Sequence, residues 1–126
     1  MTPRRLSAVL PMRLRAEFHF AAAHRLPYYD GPCFRMHGHN YRLLVQVEGQ
    51  PDPKSGMILD FVKLQAIVQA AVLERCDHHT LNDLMDNPTA ENLVRWMWIE
   101  LRPRLPGLCL LELFETDELS VIYGGE

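Results

Sequence analysis

The chain has 126 residues, 48% hydrophobic and 23% charged, which fits one globular domain. Thirteen Lys and Arg against sixteen Asp and Glu give a formal charge of −3, which argues against the basic stripe of a nucleic-acid binder. No apolar run approaches the ~20 residues of a membrane span. The three cysteines, Cys33, Cys76 and Cys109, are far apart and form no C-x-x-C pair, so no disulfide framework and a cytoplasmic, reducing setting are expected.

Residues 1–11 carry two arginines and an apolar stretch, Leu6 to Leu10, that Ser7 interrupts and that is too short for a signal sequence. They read as a disordered leader, or as sequence ahead of a start at Met12; residues 12–126 form the domain. From Arg13 to Phe20 the pattern alternates, with Arg13, Arg15, Glu17 and His19 on a wet face and Leu14, Ala16, Phe18 and Phe20 on the other. The apolar parity runs on through Ala22 to His24. Pro27, Asp30, Gly31 and Pro32 mark a loop. A second strand starts near His37, with His37, His39, Tyr41, Leu43, Val45 and Val47 on one parity. Asp60 can cap a helix in which Phe61, Leu64, Ile67, Val68, Ala71 and Val72 recur at helical steps, ending near Cys76. After a polar stretch, Thr89 caps a second helix carrying Leu93, Val94, Trp96, Met97 and Leu101, which Pro103 stops. Leu108 to Phe114 and Leu119 to Tyr123 read as strands around a Thr116-Asp117-Glu118 turn. The order β-β-α-α-β-β predicts an α+β domain, an antiparallel sheet with both helices on one face.

His37-Gly-His39 puts two imidazoles on one face of a strand. If the first two strands pair antiparallel, His24 lies beside them, and three neutral nitrogens with an open fourth position describe a catalytic zinc site. The competing reading is three hydrogen-bonded core histidines. Cys33, four residues before His37, is a fourth ligand, a thiolate activated by a nearby cation, or a buried small hydrophobe. Cys76 and Cys109 fit the last description. Asp77 next to His78 can orient an imidazole, or both simply belong to a polar helix exit. Glu115 falls on the parity of Leu111 and Leu113, where a carboxylate needs a ligand's donors or an arginine. Glu91 suits the helix dipole.

These pieces resemble the 6-pyruvoyl-tetrahydropterin synthase superfamily, and within it the 6-carboxytetrahydropterin synthase branch of the queuosine pathway. The resemblance is carried by Phe20-Ala-Ala-Ala-His-Arg-Leu-Pro27, Cys33-Phe-Arg-Met-His-Gly-His-Asn-Tyr41, Gly56-Met-Ile-Leu-Asp-Phe61, Cys76-Asp-His-His-Thr-Leu-Asn82, Asn87-Pro-Thr-Ala-Glu-Asn92 and Phe114-Glu-Thr116, in family order. It implies a tunnelling fold (T-fold) that assembles into homo-oligomers, commonly hexamers. It implies Zn2+ on His24, His37 and His39, and catalysis by Cys33 with Asp77 and His78. Glu115 would hold the guanidine-like edge of a pterin, with Thr89 and Glu91 near the pocket. C-x-x-x-H-G-H spacing is that of the carboxy branch; Pro32 and Phe34 flank the thiol where more polar neighbours are usual. The implied reaction is that of a carbon–carbon lyase: 7,8-dihydroneopterin triphosphate gives 6-carboxy-5,6,7,8-tetrahydropterin, acetaldehyde and triphosphate. Arg25 and Arg35 are candidates for the triphosphate. The alternatives are triphosphate elimination to the pyruvoyl product, and a non-catalytic oligomer with Cys33 as fourth zinc ligand.

Overall fold

The computed structural model describes residues 11–125, so the expected leader lies almost wholly outside the described residues. Two long strands dominate it, β1 (Met12–His24) and β2 (His37–Gly49). They pair antiparallel in unbroken register from Met12↔Gly49 to His24↔His37. Next, α1 (Phe61–Val68) continues through a π-helical turn (Gln69–Leu73) and a last α-turn, α2 (Glu74–Cys76), as one helical rod. A two-residue strand, β3 (His79–Thr80), follows. The second rod is α3 (Ala90–Leu101), and β4 (Leu108–Phe114) and β5 (Ser120–Tyr123) close the chain. The sheet order is β3-β1-β2-β4-β5, antiparallel except for the β1–β3 pair. This is the expected α+β arrangement with one added edge strand. At two residues, β3 is too short to leave a periodic signature.

Alternation decides which face is buried. Phe20, Ala22, Tyr41, Leu43, Val45, Leu111 and Leu113 point at the helices, and Leu64, Val68, Val72, Leu93, Val94, Met97 and Leu101 point back. Asp60 accepts the Val62 N–H at 3.0 Å and Thr89 accepts the Asn92 N–H at 3.1 Å, so both rods start where a side-chain oxygen satisfies a free amide. The π turn lets Ala71, Val72 and Leu73 all be buried in succession, which 3.6-residue geometry does not favour. Phe61 departs from the helical pattern. It is 60% exposed and borders an apolar recess with Met12, Leu14 and Met57. Gly107 is required by close approach, since a Cβ there would meet the Glu48 carbonyl oxygen at 2.5 Å. Among the described residues no helix is long and apolar enough to cross a membrane.

Leu64 is fully buried between helix and sheet, so Leu64→Ala should cost about 2–5 kcal/mol of unfolding free energy, while the exposed Lys63→Ala should stay within about 0.5 kcal/mol. Urea titration of both variants measures the contrast; equal effects would show that this helix face is not core.

Candidate metal centre and adjoining pocket

The register of β1 and β2 builds the centre. His24 pairs directly with His37, and His39 pairs with Ala22, so all three imidazoles project to the helix side of the sheet. Their ring centroids lie 4.6 to 5.2 Å apart, and one nitrogen from each falls within 4.8 Å of the others. The outward nitrogens fix the tautomers. His24 Nδ1–H donates to the Pro88 carbonyl at 2.8 Å, and His37 Nδ1–H donates to the Arg35 carbonyl at 2.7 Å. A carbonyl only accepts, so in each neutral ring Nε2 carries the lone pair. Those two lone pairs face each other at 3.1 Å, and the buried His39 Nε2 has no hydrogen-bond partner among the described residues. Two opposed lone pairs beside an unpartnered third ring nitrogen are unfavourable unless a cation sits between them. Tetrahedral ligands at 2.0–2.1 Å from a metal stand about 3.3 Å apart, close to what His24 and His37 show. Burial pushes His24 and His39 below the usual imidazole value, outweighing the nearby Glu115, which keeps them in the neutral, metal-binding form. The three-histidine cluster therefore fits a metal ion.

Tyr41 floors the site. It is fully buried, stacks on Phe20 with centroids 4.8 Å apart, and meets His24 and His39 edge-on. Beyond β4, Glu115 keeps the expected inward parity: its carboxylate oxygens lie 3.9 Å from His24 Nε2 and 3.9 Å from His39 Nε2. Glu115, Thr89 and Glu91 line one pocket of about 290 Å³, with Leu26 and Val121 supplying apolar wall. The fold thus gathers the three residues singled out for substrate binding. Thr89 also serves as the α3 cap, so its hydroxyl has a structural duty as well.

Asp77 and His78 do bond each other, although neighbours in sequence need not. Asp77 Oδ1 lies 3.0 Å from His78 Nδ1 and also accepts the Ala21 N–H at 2.9 Å. His78 adopts φ 63°, an uncommon left-handed conformation for a residue with a side chain, and its N–H donates to the Ala21 carbonyl at 2.6 Å. Its ring is 83% exposed. His78 and His39 both border an open cleft of about 410 Å³, whose lining also includes Ala21, Ala23, Gly38 and Asn40, of the strand parity opposite to His24 and His37. Cys33 is half-buried between the exposed Pro32 and Phe34 of a single 3-10 turn, and its carbonyl accepts the Leu26 N–H at 2.9 Å. The group that closes on a metal contains the three histidines and not this sulfur. Cys76 is fully buried, its thiol pushed up to about 12 by burial, and burial also raises Cys109, as befits packing residues. His19 is a surface residue paired with Glu17 at 3.0 Å. The carbonyls of Pro88 and Arg35 went unnoticed in the sequence because backbone acceptors leave no residue signature. Tyr41 had one, since it shares the parity of His37 and His39.

Comparison with known proteins agrees with this geometry. A family model described as 6-pyruvoyl tetrahydropterin synthase matches residues 13–126. The chain is 37% identical over 114 residues to the 6-carboxy-5,6,7,8-tetrahydropterin synthase of Synechocystis sp., covering 85% of this chain and 88% of that protein. It is 40% identical over 110 residues to the dihydroneopterin monophosphate aldolase of Pyrococcus furiosus, covering 85% and 90%. The solved 6-pyruvoyl tetrahydropterin synthase of Caenorhabditis elegans superposes with a TM-score of 0.84 at 28% identity, over 93% of this chain and 97% of that one.

The Asp77 carboxyl is held below its ordinary value, chiefly by the Ala21 N–H and then by His78. The unfolded chain takes up the proton near pH 3.9, before the folded one does. The stability Asp77 contributes is therefore complete above about pH 5 and is lost as the pH falls through its folded value. The stability difference between the chain and Asp77→Asn should be constant at neutral pH and shrink below about pH 4. A difference that persists unchanged to pH 3 in urea titrations would mean that the Ala21 and His78 bonds do not need the charge.

Proposed function

Since the chain belongs to the 6-pyruvoyl tetrahydropterin synthase family, we propose that it acts on 7,8-dihydroneopterin triphosphate and, with one water, yields 6-carboxy-5,6,7,8-tetrahydropterin, acetaldehyde and triphosphate, as the carbon–carbon lyase that feeds queuosine synthesis. The observation that carries the reading is the set of three inward-facing imidazole nitrogens beside a carboxylate-lined pocket. The choice of product rests on the Cys33-x-x-x-His37-Gly-His39 spacing. Three neutral imidazoles suit Zn2+, and the bound ion supplies Lewis acidity that polarises the substrate's side-chain oxygens and acidifies the adjoining C–H.

The chain's own groups do the rest. Cys33, free of the ligand set, takes the carbon-bound proton as thiolate. Asp77 holds His78 Nδ1–H, which leaves Nε2 as the acceptor that carries protons between side-chain positions. A pterin bears its reacting side chain at one end of a two-ring system and its guanidine-like edge at the other. Glu115, 3.9 Å from two metal-facing nitrogens, stands at the side-chain end. We therefore depart from the assignment of the guanidine-like edge to Glu115: Glu91, with Thr89 at the α3 N-terminus, takes that edge, and Glu115 takes the side-chain hydroxyls. Arg25 and Arg35 remain candidates for the triphosphate. The proposal includes homo-oligomerisation, as a hexamer. β5 has no outer neighbour among the described residues, and β3 covers only Ala22 and Ala23 of β1, so two sheet edges are open. Leu119 and Ile122, on or next to β5, are 65% and 62% exposed.

The test is mass spectrometry of the products formed from 7,8-dihydroneopterin triphosphate, with aldehyde trapping. The carboxy product with acetaldehyde is expected. A pyruvoyl product with no aldehyde, or turnover confined to a monophosphate with release of a phosphorylated two-carbon aldehyde, would overturn the assignment. Cys33→Ala should retain one zinc per chain by elemental analysis while turnover disappears; loss of zinc would make Cys33 a fourth ligand. Glu91→Gln should raise KM by roughly 30- to 1000-fold, as a charge-assisted pair of hydrogen bonds worth about 2–4 kcal/mol is broken, with kcat little changed. Glu115→Gln should instead lower kcat. The reverse pattern in steady-state kinetics would restore Glu115 to the guanidine-like edge.

A further inference from the structure

His24 differs from the other two histidines in how it is held. Its side chain is buried, and one stretch of chain, residues 82–88, grips it from two directions. On the ring side, the Pro88 carbonyl accepts Nδ1–H at 2.8 Å. On the backbone side, β3 pairs with β1 at Ala22↔His79 and Ala23↔Thr80 and then stops. Beyond that point the Asn82 side chain takes over. Its Oδ1 accepts the Arg25 N–H at 2.8 Å, and its Nδ2–H donates to the Arg25 carbonyl at 2.9 Å. A carboxamide carries one donor and one acceptor side by side, like a peptide group, and so it extends the ladder by one residue past the strand end. The same Nδ2 also reaches the Asp86 carbonyl at 3.5 Å, and Tyr28 O–H donates to the Asp86 carboxylate. The stretch is thereby bound to the chain immediately after His24 and to the loop that leads to Cys33.

We infer that Asn82 is a positioning residue for the metal centre: by clamping Arg25 and Asp86 together it keeps the Pro88 carbonyl on His24 Nδ1, and so fixes the tautomer and direction of a ligand it never touches. Partners that orient a ligating imidazole typically alter metal affinity by 10- to 100-fold when removed. The inference rests on the metal reading above. It predicts a loss of affinity rather than a general loss of stability.

The experiment uses the full-length metal-free chain at a temperature where circular dichroism shows every variant folded. Co2+ binding is followed by its visible absorption, and Zn2+ affinity by competition with a chromophoric chelator. Asn82→Asp keeps the size and the Oδ1 acceptor but sets a second oxygen against the Arg25 and Asp86 carbonyls; Asn82→Ala removes both groups. Both variants should bind metal about 10- to 100-fold more weakly. His24→Ala should lose high-affinity binding. Leu101→Ala, a fully buried core truncation about 16 Å of helix away from the pocket end of α3, should bind as the unaltered chain does. Unaltered affinity in Asn82→Asp and Asn82→Ala overturns the inference, and so does an equal loss in Leu101→Ala, which would mark a general effect of instability. Unaltered affinity in His24→Ala overturns the metal reading itself, and this inference with it.

Discussion

Everything at this centre depends on the register of one strand pair. β1 and β2 run antiparallel without a break for thirteen residues each, and the pairing brings the last residue of one opposite the first of the other, His24 against His37. A slip of one residue would turn His24 to the solvent face while His37 and His39 stayed inside. What forbids that slip is the rest of the strand. Phe18, Phe20 and Ala22, which share the parity of His24 on β1, would exchange core for water with it, at roughly 1.5–3 kcal/mol for each large side chain. The geometry of three nitrogens is thus held by apolar burial spread along the whole pair.

That dependence explains why so much could be read without coordinates. Period-two parity is a strong signal over strands this long. It assigned Leu14, Phe20 and Val45 to one face and, by the same rule, assigned His24, His37, His39 and Glu115 to the interior. The rods were legible from Asp60 and Thr89, whose side-chain oxygens cap amides in the structure as their positions suggest. Other features left no trace. The π turn is a backbone choice made by packing, β3 is too short for a period, and Phe61 fits the helical apolar spacing yet lies at the core's margin. The Asp77–His78 contact was a matter of rotamer and φ, which adjacency in sequence cannot decide. Family motifs, by contrast, draw attention to Glu91 and Glu115 together, and both line one pocket with Thr89.

The surroundings of the three clustered histidines are largely main chain. Pro88 and Arg35 contribute carbonyls, Ala21 contributes both an N–H and a C=O to the Asp77–His78 segment, and Arg25 gives both of its backbone groups to Asn82. A backbone group stays in place when its own side chain changes, so the alanines of the Phe20-Ala-Ala-Ala-His24 run can be small and featureless and still organise chemistry on the flanking segment. Their smallness is useful: Ala21 and Ala23 line the cleft that His78 and His39 share, where larger side chains would fill it.

If His78 carries protons as proposed, its left-handed backbone sets stability against activity at a single position. A residue with a Cβ pays on the order of 1 kcal/mol for that conformation, and glycine or asparagine adopts it more readily. Laboratory evolution that rewards heat resistance alone would therefore find relief at position 78 and discard the imidazole, whereas selection that also scores turnover would keep it strained. Under the proposed proton-carrying role, thermostabilised descendants altered at position 78 would be found folded and inert.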